Sequence, residues 1–130
     1  MRYRGMEIFN YSEKELKNTI LQIKSPKTKI KDIYSIIAIN KNEYWAIVAL
    51  SYREEKNQPF NPCLAIRWFT NKGFPTARGY PTWFVIPNSL VEGILNTISI
   101  PYETKSHLLK FLANDNVEDF LRTIEPIFIS

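Results

Sequence analysis

Arg67 and Phe69 stand two residues apart in the stretch PCLAIRWFTNKGFPTARGYPTWFVI, residues 62–86, and Lys72 and Arg78 follow in a Gly- and Pro-rich connection. Cations interleaved with flat rings suit a single-stranded nucleic acid, because phosphates need charge and unstacked bases need a π-face. Side chains alternate along a strand. A strand over residues 62–70 therefore sends Arg67 and Phe69 out together with Cys63 and Ala65, leaving Leu64, Ile66 and Trp68 opposite. A following strand over 80–86 sets Tyr80, Thr82, Phe84 and Ile86 against Trp83 and Val85. Trp68 is assigned to the core. Trp45, Phe69 and Trp83 are the candidate base-stacking rings.

Catalytic chemistry has less to build on. The chain contains no GxGxxG, no Walker A run, no HExxH and no paired cysteines. His107 is the sole histidine, so a two-histidine metal site cannot form, and the lone Cys63 excludes an internal disulfide. Cys63 beside Leu64 reads as a small packed residue and His107 as a helix-surface residue. Glu54 and Glu55 fall together in a loop and Glu118 and Asp119 in a helix, so these neighbours diverge. The expectation is a non-enzyme with no cofactor and no metal; a nuclease using Glu54 or Glu55 with a divalent ion is the weaker competitor.

At 130 residues, 45% of them hydrophobic and 14% aromatic, the chain can fold as a single domain with a core of its own. Its net charge of +4 favours polyanionic partners. Lys and Arg outnumber Asp and Glu seven to three over residues 1–30 and seven to five over 31–101, and are outnumbered three to five beyond. A polyanion would thus meet the front of the chain and the sheet. No run approaches the roughly 20 apolar residues of a membrane span, and the N-terminus lacks a signal-peptide core, so a soluble, cytoplasmic protein without a membrane partner is expected.

Four strands and four helices would position these residues. Residues 3–9 suggest a short edge strand. Ser12 and Glu15 form a capping box before Leu16, Ile20, Leu21 and Ile23, predicting a helix over 13–23. The basic connector KSPKTKIK, with Lys24, Lys27, Lys29 and Lys31, reads first as a solvated loop and second as a phosphate-binding arm. Residues 33–39 and 44–53 form a hairpin about the turn 40–43, with Trp45, Ile47, Ala49, Ser51 and Arg53 sharing one face. Helices are predicted over 88–99, 103–112 and 117–124, before an apolar end, IFIS. Strands that follow one another without intervening helices pair most simply antiparallel. The expected fold is therefore α+β: a curved four-stranded antiparallel sheet, about 33–86, backed by helices on one face and open on the other, with an N-terminal helix.

The stretch CLAIRWFTNKGFPTARGYPTWFVIPNSLVEGIL resembles the PC4 family of transcriptional coactivators and their bacterial and viral relatives. The resemblance covers about residues 33–98. It lies in an Ile-Arg strand ending in aromatics (Ile66, Arg67, Trp68, Phe69), a loop with Lys72, Gly73, Arg78 and Gly79, and a short strand entering a helix (residues 84–95). It implies a curved sheet that binds single-stranded DNA, a homodimer through the helix near 88–98, and contacts from Arg67, Phe69, Lys72, Arg78 and Arg53. Ile-, Lys-, Asn- and Tyr-rich usage suits an AT-rich microbial or viral genome, making a viral single-stranded DNA-binding protein of similar topology an attractive variant, acting in the host cytoplasm. The expected function is binding of single-stranded DNA, or RNA, with little sequence preference through Trp45, Arg53, Arg67, Phe69, Lys72, Arg78 and Trp83. A protein-interaction module using the same aromatic face is the alternative.

Overall fold

The computed structural model describes residues 12–69, 75–77 and 80–129. Helix α1 (Glu13–Leu21) opens with the expected capping box. Ser12 Oγ accepts from the Glu15 backbone N–H at 3.2 Å, and the Glu15 carboxylate accepts from the Ser12 N–H at 3.1 Å, so two otherwise orphaned donors are satisfied. Leu16 and Ile20, one turn apart, form its buried face.

The basic connector leads into β1 (Ile30–Asn40), which turns back into β2 (Trp45–Tyr52). Asn40 Oδ1 holds the turn by accepting from the backbone N–H groups of Asn42 and Glu43 at 2.9 and 2.8 Å. β3 (Asn61–Trp68) pairs antiparallel with β2, setting Trp68 opposite Trp45 and Arg67 opposite Ala46. Then come β4 (Thr76–Ala77), β5 (Tyr80–Pro81) and β6 (Phe84–Val85), followed by α2 (Asn88–Thr97), α3 (Tyr102–Leu112), α4 (Glu118–Leu121) and β7 (Ile127–Ile129). The main sheet runs β6-β3-β2-β1-β7, while β4 and β5 form a separate two-stranded ribbon.

The α+β class holds, but the sheet is five-stranded and mixed, which corrects the expected four-stranded antiparallel one. After the helices the chain reaches the free edge of β1, and β7 pairs there in parallel, Ala38 with Ile127 and Asn40 with Ile129. The segment 80–86 is also not one strand. Pro81 has no N–H to give a ladder, and the pairing is divided: Tyr80–Pro81 joins β4, whereas Phe84–Val85 joins β3. The edge strand expected over 3–9 lies outside the described residues.

The second correction concerns the open face. Ile36, Ala46, Val48 and Leu50 pack with Leu16 and Ile20 of α1, whereas their alternates Ile37, Ile47 and Ala49 pack with Val91, Leu95, Leu108, Phe111 and Leu121 of α2, α3 and α4. Helices therefore cover both faces. The cause is in the strands: β1 and β2 are apolar on both faces, and each side needs a cover to leave water.

Candidate functional site

The predicted nucleic-acid residues divide into buried, partly exposed and undescribed. Arg67 is 1% exposed, Phe69 0% and Trp83 5%, so they do not form an accessible platform. The Arg67 guanidinium donates through Nη1 to the carbonyls of Pro75 and Thr82 at 3.0 and 2.6 Å and lies 5.3 Å from the Phe69 ring centre. It fastens the segment after β3 across the α1 side of the sheet. Trp83 does likewise, its Nε1 donating to the Ile23 carbonyl just beyond α1 at 2.7 Å. The alternation expected for β3 is correct and Leu64 is buried as expected, but at the Arg67–Trp68 end core and surface are exchanged. The face assigned to DNA is closed by α1 and Trp83, and Trp68, assigned to the core, is 41% exposed. Lys72 and Arg78 lie outside the described residues.

Trp45 and Trp68 instead enter an apolar cleft on the opposite face of the sheet. The cleft has a volume of about 680 Å³; β2 and β3 supply Trp45, Ile47, Ile66 and Trp68, and β6 adds Phe84. Its other wall is α2, where Leu90, Gly93, Ile94 and Thr97 recur at the spacing that keeps them on one helix face. Phe84 is 59% exposed and Leu90 56%. Three large apolar side chains thus stand in water around one concavity. The sequence signal was the amphipathic stripe of α2, read only as a core or dimer face.

Among the described residues no charged side chain lines this cleft, and two of its side-chain polar groups are already engaged. Trp45 Nε1 donates to Glu43 Oε1 at 3.0 Å, and Thr97 Oγ1 donates to the Gly93 carbonyl at 2.9 Å. An occupant therefore meets mainly shape and apolar area, with no phosphate-sized charge and with the half-exposed Trp68 indole N–H as the side-chain donor not engaged among the described residues. Gly93 adds room on the helix wall, because a Cβ built there would meet no heavy atom within 4 Å. Nothing inside the chain requires glycine there, although glycine in a helix interior costs about 1 kcal/mol relative to alanine.

Arg53 sits at the other end of β2. Its Nε donates to the Thr28 carbonyl at 2.6 Å, and its guanidinium carbon is 4.2 Å from the centre of the Phe60 ring, which also has Lys31 Nζ at 5.9 Å. This contact draws the basic connector against the sheet. Nearby, Asp32 bonds Arg122 at 2.7 Å and lies 3.6 Å from Lys24. Partial burial opposes ionisation of Asp32, but the hydrogen bond and charge of Arg122, helped by Lys24, hold its carboxyl below the ordinary range.

Burial, with the Glu54 charge, pushes the Cys63 thiol up, which disfavours the nucleophilic thiolate. His107 is half-buried; its ring stacks on Phe120 at 3.6 Å and its Nδ1 lies 2.8 Å from the Glu103 carbonyl oxygen. Among the described residues, no cluster of three or more His, Cys, Asp or Glu side chains could hold a metal, and no helix is long and apolar enough to cross a membrane. Comparison with family models, curated proteins and solved structures found no match to this chain.

Proposed function

We propose that this chain is a protein-interaction module that receives two or three apolar side chains of a partner segment in the cleft between β3, β6 and α2. The observation that carries the reading is the grouping of exposed Trp68, Phe84 and Leu90 around an uncharged concavity of about 680 Å³. Exposed apolar area gathered in one place marks contact surfaces, and an amphipathic helix laid in a groove presents anchors at matching spacing. Self-association through α2 would use the same wall and competes with the outside partner.

Peptides selected from a random displayed library against the intact protein test this reading. Selected peptides should carry apolar anchors at helical spacing and lose at least about tenfold in affinity to Leu90→Glu, as expected when a central anchor contact is removed. Peptides indifferent to Leu90→Glu and Trp68→Ala would refute it. A wild-type dimer that Leu90→Glu converts to monomer would assign the cleft to a second copy.

Binding of single-stranded nucleic acid is the second reading. What favours it is the accessible meeting of Arg53 and Lys31 with the Phe60 ring, far from the buried Arg67.

A further inference from the structure

A second pocket, of about 250 Å³, lies on the same sheet face as the apolar cleft but at the far end of β2. Trp45 and Ser51, one in each, are separated by about 20 Å along the strand. The pocket's chemistry differs. Phe60, Phe111 and Tyr34 supply rings, the last two meeting edge to face at 5.4 Å. Asn114 and Asn116 bring amides, Asp115 and Glu118 carboxylates, and Lys31 an ammonium.

Ser51 also lines this pocket. It is 6% exposed, and its Oγ has no hydrogen-bond partner among the described residues. A buried hydroxyl left in that state is a cost that a ligand atom can remove once the Ser51 side chain turns toward the pocket. Ser35 Oγ shares the property but does not line this pocket. Lys31 and Arg53, both beside the Phe60 ring, form no ion pair among the described residues.

Rings, hydrogen-bonding groups and nearby cations narrow the ligand class. A purely apolar molecule would leave Ser51 and the amides unpaired. A bare anion would face Asp115 and Glu118. A flat, polar heteroaromatic ring answers both, since it stacks on the rings while its edge amines and ring nitrogens meet carboxylates, amides and hydroxyl. A phosphate on its sugar could then reach the exposed Lys31.

We propose that this pocket binds a single nucleobase with its phosphate on Lys31, presented by a free nucleotide or by a single strand. The assignment deepens the second reading above and is independent of the apolar cleft. Calorimetric titration of the intact protein tests it, with the nucleoside 5′-monophosphates, their nucleosides, inorganic phosphate and a short single-stranded oligonucleotide as probes. At least one monophosphate should bind about tenfold tighter than its nucleoside or phosphate alone, the size of effect a charge-assisted contact gives. Lys31→Ala should erase the advantage over the nucleoside, and Ser51→Ala or the exposed Asn116→Ala should weaken both. If only the oligonucleotide binds, and Lys31→Ala abolishes it, the base belongs to a strand. Absence of binding by every probe, or binding unchanged in all three variants, would overturn the proposal. Leu90→Glu should leave nucleotide affinity intact, so that failure here and failure of the cleft reading are separate results.

Discussion

Arg67 and Trp68 are neighbours on β3 and face opposite environments, the first 1% and the second 41% exposed. On the Arg67 side the guanidinium and the Trp83 indole donate to backbone carbonyls of the chain itself, tying Pro75 and Thr82 to β3 and Trp83 to Ile23 just beyond α1. On the Trp68 side, apolar area is left facing a cleft in which Trp45 Nε1 and Thr97 Oγ1 already have partners. The polar but closed side holds the fold together; the apolar but open side is available for contact. Residue chemistry alone does not separate these roles, because a buried arginine is tolerated wherever carbonyls meet it.

Substitutions on the closed side should have the largest effect. Phe69→Ala should cost about 3–5 kcal/mol in urea unfolding, through lost transfer energy and the cavity left behind. Arg67→Ala should cost about 2–4 kcal/mol, because two carbonyls lose their donor. Trp68→Ala should cost only about 1 kcal/mol, half-exposed as it is, while weakening binding of a cleft-directed peptide. A loss of stability for Trp68→Ala equal to that for Phe69→Ala would erase the distinction between the sides.

Gly93→Ala sharpens the comparison from the opposite direction. It should stabilise the chain by about 0.5–1 kcal/mol, since the methyl meets no neighbour, yet reduce peptide affinity by narrowing the cleft wall. Thermal unfolding and a binding titration on the same variant check both halves. Ser51→Ala carries the same logic at the other pocket: stability unchanged or raised by up to about 1 kcal/mol, because an unpartnered buried hydroxyl is removed.

The smallest effect belongs to Asp32, which joins β1 to the connector through Lys24 and to the segment after α4 through Arg122. Asp32→Asn should cost about 0.5 kcal/mol near neutral pH, as partly exposed ion pairs do. The folded carboxyl titrates below its ordinary value of 3.8, so its contribution is full above that value and is lost as pH falls through the lower folded value. Melting curves of wild type and Asp32→Asn should therefore separate at neutral pH and converge as the pH falls below the folded value.

Much of the fold was legible because its signals are local. The capping box of Ser12 and Glu15, the alternation along β2 and β3, and the stripe Val91 and Leu95 on α2 each depend on a few neighbouring residues. What sequence spacing did not convey is what covers each face. The near-continuous apolar run through Ile33, Ile36, Ile37 and Ile39 was the available sign of two-sided burial, and it argues against the open platform expected on that sheet. β7 is three residues long, too short for a periodicity of its own, and its parallel pairing depends on where three helices return the chain. The cleft was the least legible feature. Exposure of Trp68 follows from the placement of α2 against a short β6, and no spacing within β3 encodes that.

The most direct measurement is the affinity of one library-selected apolar peptide for wild type and for Leu90→Glu, each at low and high salt. The account predicts at least about a tenfold loss with Leu90→Glu and little dependence on salt, as for an apolar anchor in an uncharged cleft. Equal affinity for the two proteins, or steep weakening by salt that Lys31→Ala reproduces, would contradict it and move the working surface to the Arg53 and Phe60 end of the sheet.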